Sequence, residues 1–230
     1  MIPLIFDIET KRDQAFLDRQ GVEEMLRDRV KTGNAKSLDK VSEKREEGLL
    51  KLLERAALDP MTGRIVAIGH GALESDTEPK VIYEDSRDTV ADERSVLQQF
   101  FDVLLTYNSN HGRPVLCGWN IRGFDLPFLM TRAAILNVEV PGFIPHLRDY
   151  RRIVDAMDVL CPDPSRRVPL DLWLTRFGLP NKTGRGSDVE NMPLEDVARY
   201  CADDVTRTRM LIRRCASMFP ALREDGSDAA

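Results

Sequence analysis

Two carboxylates near the start of the chain, Asp7 and Glu9, lie within an apolar run made by Ile2, Leu4, Ile5, Phe6 and Ile8. Such a run reads as a strand buried on both faces. Side chains alternate along a strand, so Asp7 and Glu9 project to the same side. Two ionised carboxylates held together in a dry setting repel each other and lose hydration, and a divalent cation between them relieves both costs. The same spacing recurs at Asp76/Glu78 and Asp188/Glu190, in polar, turn-like surroundings that suit solvated surface groups. Strand-end acids also form turns, so this stretch alone leaves a metal site and a turn equally open.

Two later segments supply acids that would complete a site. In Asn120-Ile-Arg-Gly-Phe124-Asp125, a strand ends at Trp119-Asn120 and a helix begins near Asp125. An Asp there is by itself most simply a helix N-cap, although strand-to-helix junctions of α/β sheets are also where ligands collect. In Tyr200-Cys-Ala-Asp-Asp204, Tyr200 and Asp204 are four residues apart and share a helix face. The apolar stripe of that helix runs through Leu194, Val197, Ala198, Cys201, Val205, Ile212 and Cys215. At about 100° per residue, Asp204 falls roughly 60° from Cys201 and borders the core, whereas Asp203 is expected to face water.

The elements that position these residues follow from the pattern of the chain. Arg64 to Leu73 and Lys80 to Glu84 read as strands that, with the first, form an antiparallel meander. Val90 to Tyr107 is an amphipathic helix, Val115 to Trp119 a strand, and Leu126 to Asn137 a helix with Pro127 in its first turn. A weaker apolar run in 148–160 suggests a last strand. Leu170 to Phe177 reads as a helix stopped by Gly178, and the final helix opens at Pro193. The expected class is α/β, a mixed sheet flanked by helices. Residues 1–217 are expected to form one domain, interrupted at about 11–60 by a charged helical insertion, and 218–230 read as a disordered tail.

The totals exclude several classes. The chain has 230 residues, 42% hydrophobic and 31% charged, the composition of a soluble globular protein. With a net charge of −5, bulk attraction to nucleic acid or an anionic membrane is not expected, so a nucleic-acid partner requires a local basic patch or bound cations. The four cysteines have no CxxC spacing and sit in apolar segments, which suits reduced core thiols. No signal-peptide pattern and no bilayer-length apolar stretch is present, and a cytoplasmic location is expected.

Taken together, Asp-x-Glu on the first strand, Asn-x-x-x-Phe-Asp mid-chain and Tyr-x-x-x-Asp on the last helix resemble the three exonuclease motifs of the DEDDy superfamily, in the right order and on the right elements. The chain is similar to the proofreading exonuclease of family-B DNA polymerases and its stand-alone bacterial relatives. Ala57-Leu-Asp-Pro, Gly63-Arg-Ile-Val-Ala-Ile-Gly and Gly178-Leu-Pro-Asn-Lys-Thr-Gly support the likeness, which runs from Ile2 to Cys215. None of the three histidines has an Asp five residues later, which sets the histidine branch of the superfamily aside.

The resemblance implies a ribonuclease H-like fold and two Mg²⁺ or Mn²⁺ ions held by Asp7, Glu9, Asp125 and Asp204. It implies a two-metal displacement at phosphorus that releases nucleoside 5′-monophosphates from the 3′ end of single-stranded DNA or RNA, with DNA favoured. Tyr200, a poor base at its ordinary pKa, would orient the attacking water. Lys182 and Arg185 are candidates for phosphate contacts, Phe124 for base or ribose contact, and Asn120 for the terminal nucleotide or for buttressing the acids; Trp119 suits a core role. An exoribonuclease and a non-cleaving end-binding module are the alternatives. Any polymerase or repair partner would be a separate chain.

Overall fold

In the computed structural model, which describes residues 2–33, 37–84, 89–184 and 186–222, the N-terminal apolar run forms β1 (Pro3–Arg12), the middle strand of the sheet. The other strands are β2 (Gly63–Ala72), β3 (Lys80–Tyr83), β4 (Val115–Gly118) and β5 (Ile153–Asp155), and the order across the sheet is β3-β2-β1-β4-β5. β2 and β3 are antiparallel, with His70 opposite Lys80. The β1–β2 pair also runs in opposite directions, since Leu73 N donates to Pro3 O at one end and Asp13 N to Thr62 O at the other. β4 lies parallel to β1, Ile5 opposite Cys117, and β5 parallel to β4, Gly118 opposite Asp155. The result is the expected mixed α/β architecture of the ribonuclease H-like kind.

The helices are α1 (Gln14–Leu17), α2 (Val22–Asp28), α3 (Leu38–Glu54), α4 (Thr89–His111), α5 (Asp125–Ile135), α6 (Ala156–Leu160), α7 (Leu170–Phe177) and α8 (Leu194–Arg214). The chain divides into two compact units, residues 1–9 with 65–230, and residues 10–64. The smaller unit holds α1 to α3, packed around Val22, Leu26 and Leu49. Ser37 caps α3 by accepting from Lys40 N.

Alternation along β1 feeds both layers of the larger unit. Leu4, Phe6 and Ile8 pack with Leu97, Phe100 and Leu104 of α4 and with Leu126 and Leu129 of α5. Ile5, Val115, Cys117 and Val154 pack with Leu170 and Leu174 of α7 and Val205 and Ile212 of α8. Each fully buried side chain of this size contributes about 1.5–3 kcal/mol. A buried ion pair ties the first layer together: Arg132 Nε and Nη2 reach Glu93 at 2.8 and 2.6 Å, and Glu93 Oε1 also accepts from Ile65 N at 2.8 Å.

Two segments depart from expectation. The run in 148–160 is not one strand: β5 ends at Asp155, whose carboxylate accepts from Met157 N, and α6 follows. Such an acceptor satisfies a free amide of a helix's first turn and so starts α6. Order extends into the expected tail, where Ala216–Met218 and Pro220–Leu222 form 3-10 turns around the buried Phe219; residues 223–230 lie outside the described residues. The four cysteines are free and buried, and no helix among the described residues is long and apolar enough to cross a membrane.

Candidate active site

Asp7 and Glu9 share the face of β1 that carries Ile5, turned towards α8; Glu9 is buried and Asp7 half-buried. α8 comes unusually close to the sheet at Gly69 on β2. A Cβ there would lie 2.9 Å from both Cys201 Sγ and Val205 Cγ2, so only glycine admits the helix at this depth. The close approach brings Cys201 Sγ to 3.7 Å from the carbonyl oxygen of Asp7. Ligand atoms of Asp7, Glu9 and Cys201 all lie within 4.8 Å of one another, a group able to hold a metal ion. Tyr200 and Asp204, on the same face of α8, are both buried.

The third contributor is the turn between β4 and α5. Asn120 adopts a left-handed backbone (φ 61°), and its carbonyl accepts from Gly123 N and Phe124 N. α5 then begins with Asp125, which does not cap the helix. Its Oδ1 accepts from Ile8 N at 3.0 Å, between Asp7 and Glu9 on β1, and the carboxyl is 2% exposed.

Lys182 enters the cluster from the loop that follows Gly178. Its Nζ donates to Asp204 Oδ2 at 2.5 Å and to Tyr200 Oη at 2.7 Å. Asp171 Oδ1 accepts from Lys182 N at 3.2 Å, and Asp203 Oδ2 accepts from Thr183 N and Oγ1 at 3.0 and 3.2 Å. Asp203 therefore does not simply face water: it holds the loop that carries Lys182, and pairs with Arg207 at 2.9 Å. The loop lies against Tyr200, since a Cβ on Gly184 would stand 3.0 Å from Tyr200 Cδ2.

Burial and mutual repulsion make each of these acids harder to ionise. Asp7 is raised well above the carboxylate range, first by burial and then by Asp125, Glu9 and Asp204. Glu9 is raised likewise by burial, then by Asp204, with Lys182 opposing. Burial lifts Asp125 to about 7 against the hydrogen bond from Ile8, and Asp204 to about 6 against Lys182. Burial, then Asp204, raises Tyr200 as well, so its phenol stays protonated. The Cys201 thiol is pushed up by burial and by Glu9 and is a neutral donor, not a thiolate. Asp204 Oδ1 is buried with no hydrogen-bond partner. Buried carboxyl oxygens whose ionisation is opposed by burial and by one another, one of them without a hydrogen-bond partner, fit a hard divalent metal.

Of the residues singled out from the sequence, the structure gathers Asp7, Glu9, Asp125, Tyr200, Asp204 and Lys182 into one unit. Asn120 stays in the turn, its Oδ1 accepting from Arg167 at 3.2 Å. Phe124 is half-buried against the first layer, 5.4 Å ring to ring from Phe128, and Trp119 packs against the second. Arg185 lies outside the described residues. Cys201 had only one sequence signal, its place in the apolar stripe beside Tyr200.

A mixed ribonuclease H-like sheet with carboxylates converging at its middle strand defines a domain of the 3′-5′ exonuclease class. The chain belongs to the family described as "Predicted 3'-5' exonuclease related to the exonuclease domain of PolB", which matches residues 58–229. In structure it is similar to the family B DNA polymerase from the hyperthermophilic archaeon Pyrobaculum calidifontis, with a TM-score of 0.60 and 22% identity over 94% of this chain. The chain spans 24% of that polymerase. No curated protein matches it.

Proposed function

We propose that the chain hydrolyses single-stranded nucleic acid from its 3′ end, with DNA the favoured substrate, and releases nucleoside 5′-monophosphates. The observation that carries this reading is the meeting of carboxylates from three separate elements: Asp7 and Glu9 from β1, Asp125 from the start of α5 and Asp204 from α8. These four would hold two divalent cations, Mg²⁺ or Mn²⁺. When bound, such ions supply a hydroxide nucleophile near neutral pH and neutralise charge on the phosphoryl oxygens.

The chain's own groups do the rest. Tyr200, held protonated, donates a hydrogen bond that orients the attacking water. Lys182 is bonded to both Tyr200 and Asp204, and its ammonium is the candidate contact for a phosphate oxygen. Phe124, half-buried against the first layer at the end of the turn, is the candidate for contact with the terminal base or ribose.

A 5′-labelled single-stranded DNA and its RNA equivalent, each incubated with Mg²⁺, Mn²⁺ or EDTA, test the reading. A metal-dependent ladder that shortens from the 3′ end, absent in Asp204→Asn, is expected, and it should be faster on DNA. Faster shortening of RNA would make the enzyme an exoribonuclease. Binding of both without cleavage would refute hydrolysis and leave an end-binding module.

A further inference from the structure

We infer that Asp155 is a positioning residue for the reaction proposed above, on which this inference rests: it fixes the Asn120–Phe124 turn and, through that turn, the place of Asp125 beside Asp7 and Glu9. Asp155 is the last residue of β5 and 3% exposed. Its Oδ1 accepts from Asn120 N at 2.8 Å and from Met157 N at 3.0 Å, and its Oδ2 accepts from Arg122 N at 2.9 Å. Capping α6 requires only the bond to Met157. The other two bonds reach across the sheet edge to residues more than thirty positions earlier, at the end of β4.

Those two bonds fall where the backbone most needs them. Asn120 sits in the left-handed region, where asparagine is enriched among residues other than glycine, and the bond from its amide to Asp155 fixes the turn that starts there. The Asn120 side chain lies over the same turn, since a Cβ on Gly123 would stand 2.5 Å from Asn120 Oδ1. Two residues after Gly123 comes Asp125, whose Oδ1 takes the amide of Ile8. A continuous line of hydrogen bonds and short chain thus runs from the end of β5, through the turn after β4, to the middle of β1. Because both oxygens of Asp155 are committed to amide donors, it acts through the turn and not on the reacting atoms. Arg122 braces the same turn from its other side, donating to Ile153 O at 2.7 Å. Partners that orient the groups around a metal are worth about 10–100-fold in affinity or activity when removed.

Asp155→Asn tests this. The variant keeps an acceptor for two of the amides and turns a donor against the N–H of Arg122. On single-stranded DNA its kcat is expected to fall by about 10–100-fold with KM unchanged, and its Mn²⁺ affinity, read by electron paramagnetic resonance without substrate, to fall to a similar degree. Val154→Ala, one residue earlier and buried in the same strand, is the control: it lowers the melting temperature and leaves kcat and Mn²⁺ affinity in place. Should Asp155→Asn fail to fold, Asp155→Ser keeps a short acceptor for Met157 N while giving up the two bonds to the turn, and is expected to give the same two losses. Wild-type kcat and Mn²⁺ affinity in these variants, or losses confined to melting temperature as in Val154→Ala, would overturn the inference. A wild-type protein that neither cuts nor binds Mn²⁺ would instead overturn the exonuclease reading.

Discussion

Replacing Asp125 by Asn should stabilise the metal-free protein at alkaline pH, an unusual sign for a change at a buried site residue. Asn retains the oxygen that accepts from Ile8 N, so the backbone contact survives. What it removes is a carboxyl that burial has lifted from its ordinary 3.8 to about 7. The folded chain binds this proton more tightly than the unfolded chain. The group's contribution is therefore fully present below about pH 4 and is lost as pH rises through about 7. At ~1.4 kcal/mol per pH unit, the gap is worth roughly 4 kcal/mol by pH 8. For a chain of this length that corresponds to a melting-temperature difference on the order of 10 °C. Thermal unfolding of both proteins, with EDTA, should show near-equal stability at pH 4 and a variant more stable at pH 8. Adding Mg²⁺ should reverse the order, because the cation stabilises the wild type by mass action and finds a weaker site in the variant. A variant less stable than wild type at pH 8 in EDTA would refute the account of a strained, cation-seeking carboxylate.

Asp203→Asn should lower kcat measurably, because it weakens the bonds to Thr183 that hold Lys182 over Asp204; turnover equal to wild type would separate the loop from the chemistry. Tyr200→Phe removes the hydroxyl that meets Lys182 and should reduce kcat more than it raises KM, checked by steady-state kinetics on a short oligonucleotide. Glu93→Ala removes a buried acceptor from both Arg132 and Ile65 N and should cost about 3–5 kcal/mol in urea unfolding.

Local periodicity made much of this molecule readable. β1 is legible because its apolar run has strand character and its acids sit two apart. α8 is legible because its stripe fixes which face meets the sheet, so Tyr200 and Asp204 fall on the site side. Helix phase also misleads: it reports that Asp203 points away from the core, but not that the loop with Thr183 comes to lie over it. The run from Ile153 to Leu160 satisfies neither period, and the decisive signal, an Asp capping the amide two residues on, is easily taken for one more polar residue in a strand. Asp125 reads as an N-cap from its neighbours alone, and its true partner, Ile8, lies 117 positions away. Cys201 and Asp155 are the same kind of case, since contacts made across the sheet leave no trace in spacing.

The amide of Asp13 donates to the carbonyl of Thr62 at 2.9 Å, where β1 gives way to the smaller unit and β2 begins. In topological terms everything between these two residues is the loop of a single hairpin. Its closing cost grows only with the logarithm of its length, so doubling the loop adds just ~0.6 kcal/mol. Evolution can therefore lengthen, trim or exchange this stretch at little thermodynamic expense while Pro3 and Leu73 keep the strands in register. The acids at positions 7 and 9 inherit that insulation: a change in the length of this stretch leaves the strand that carries them in register.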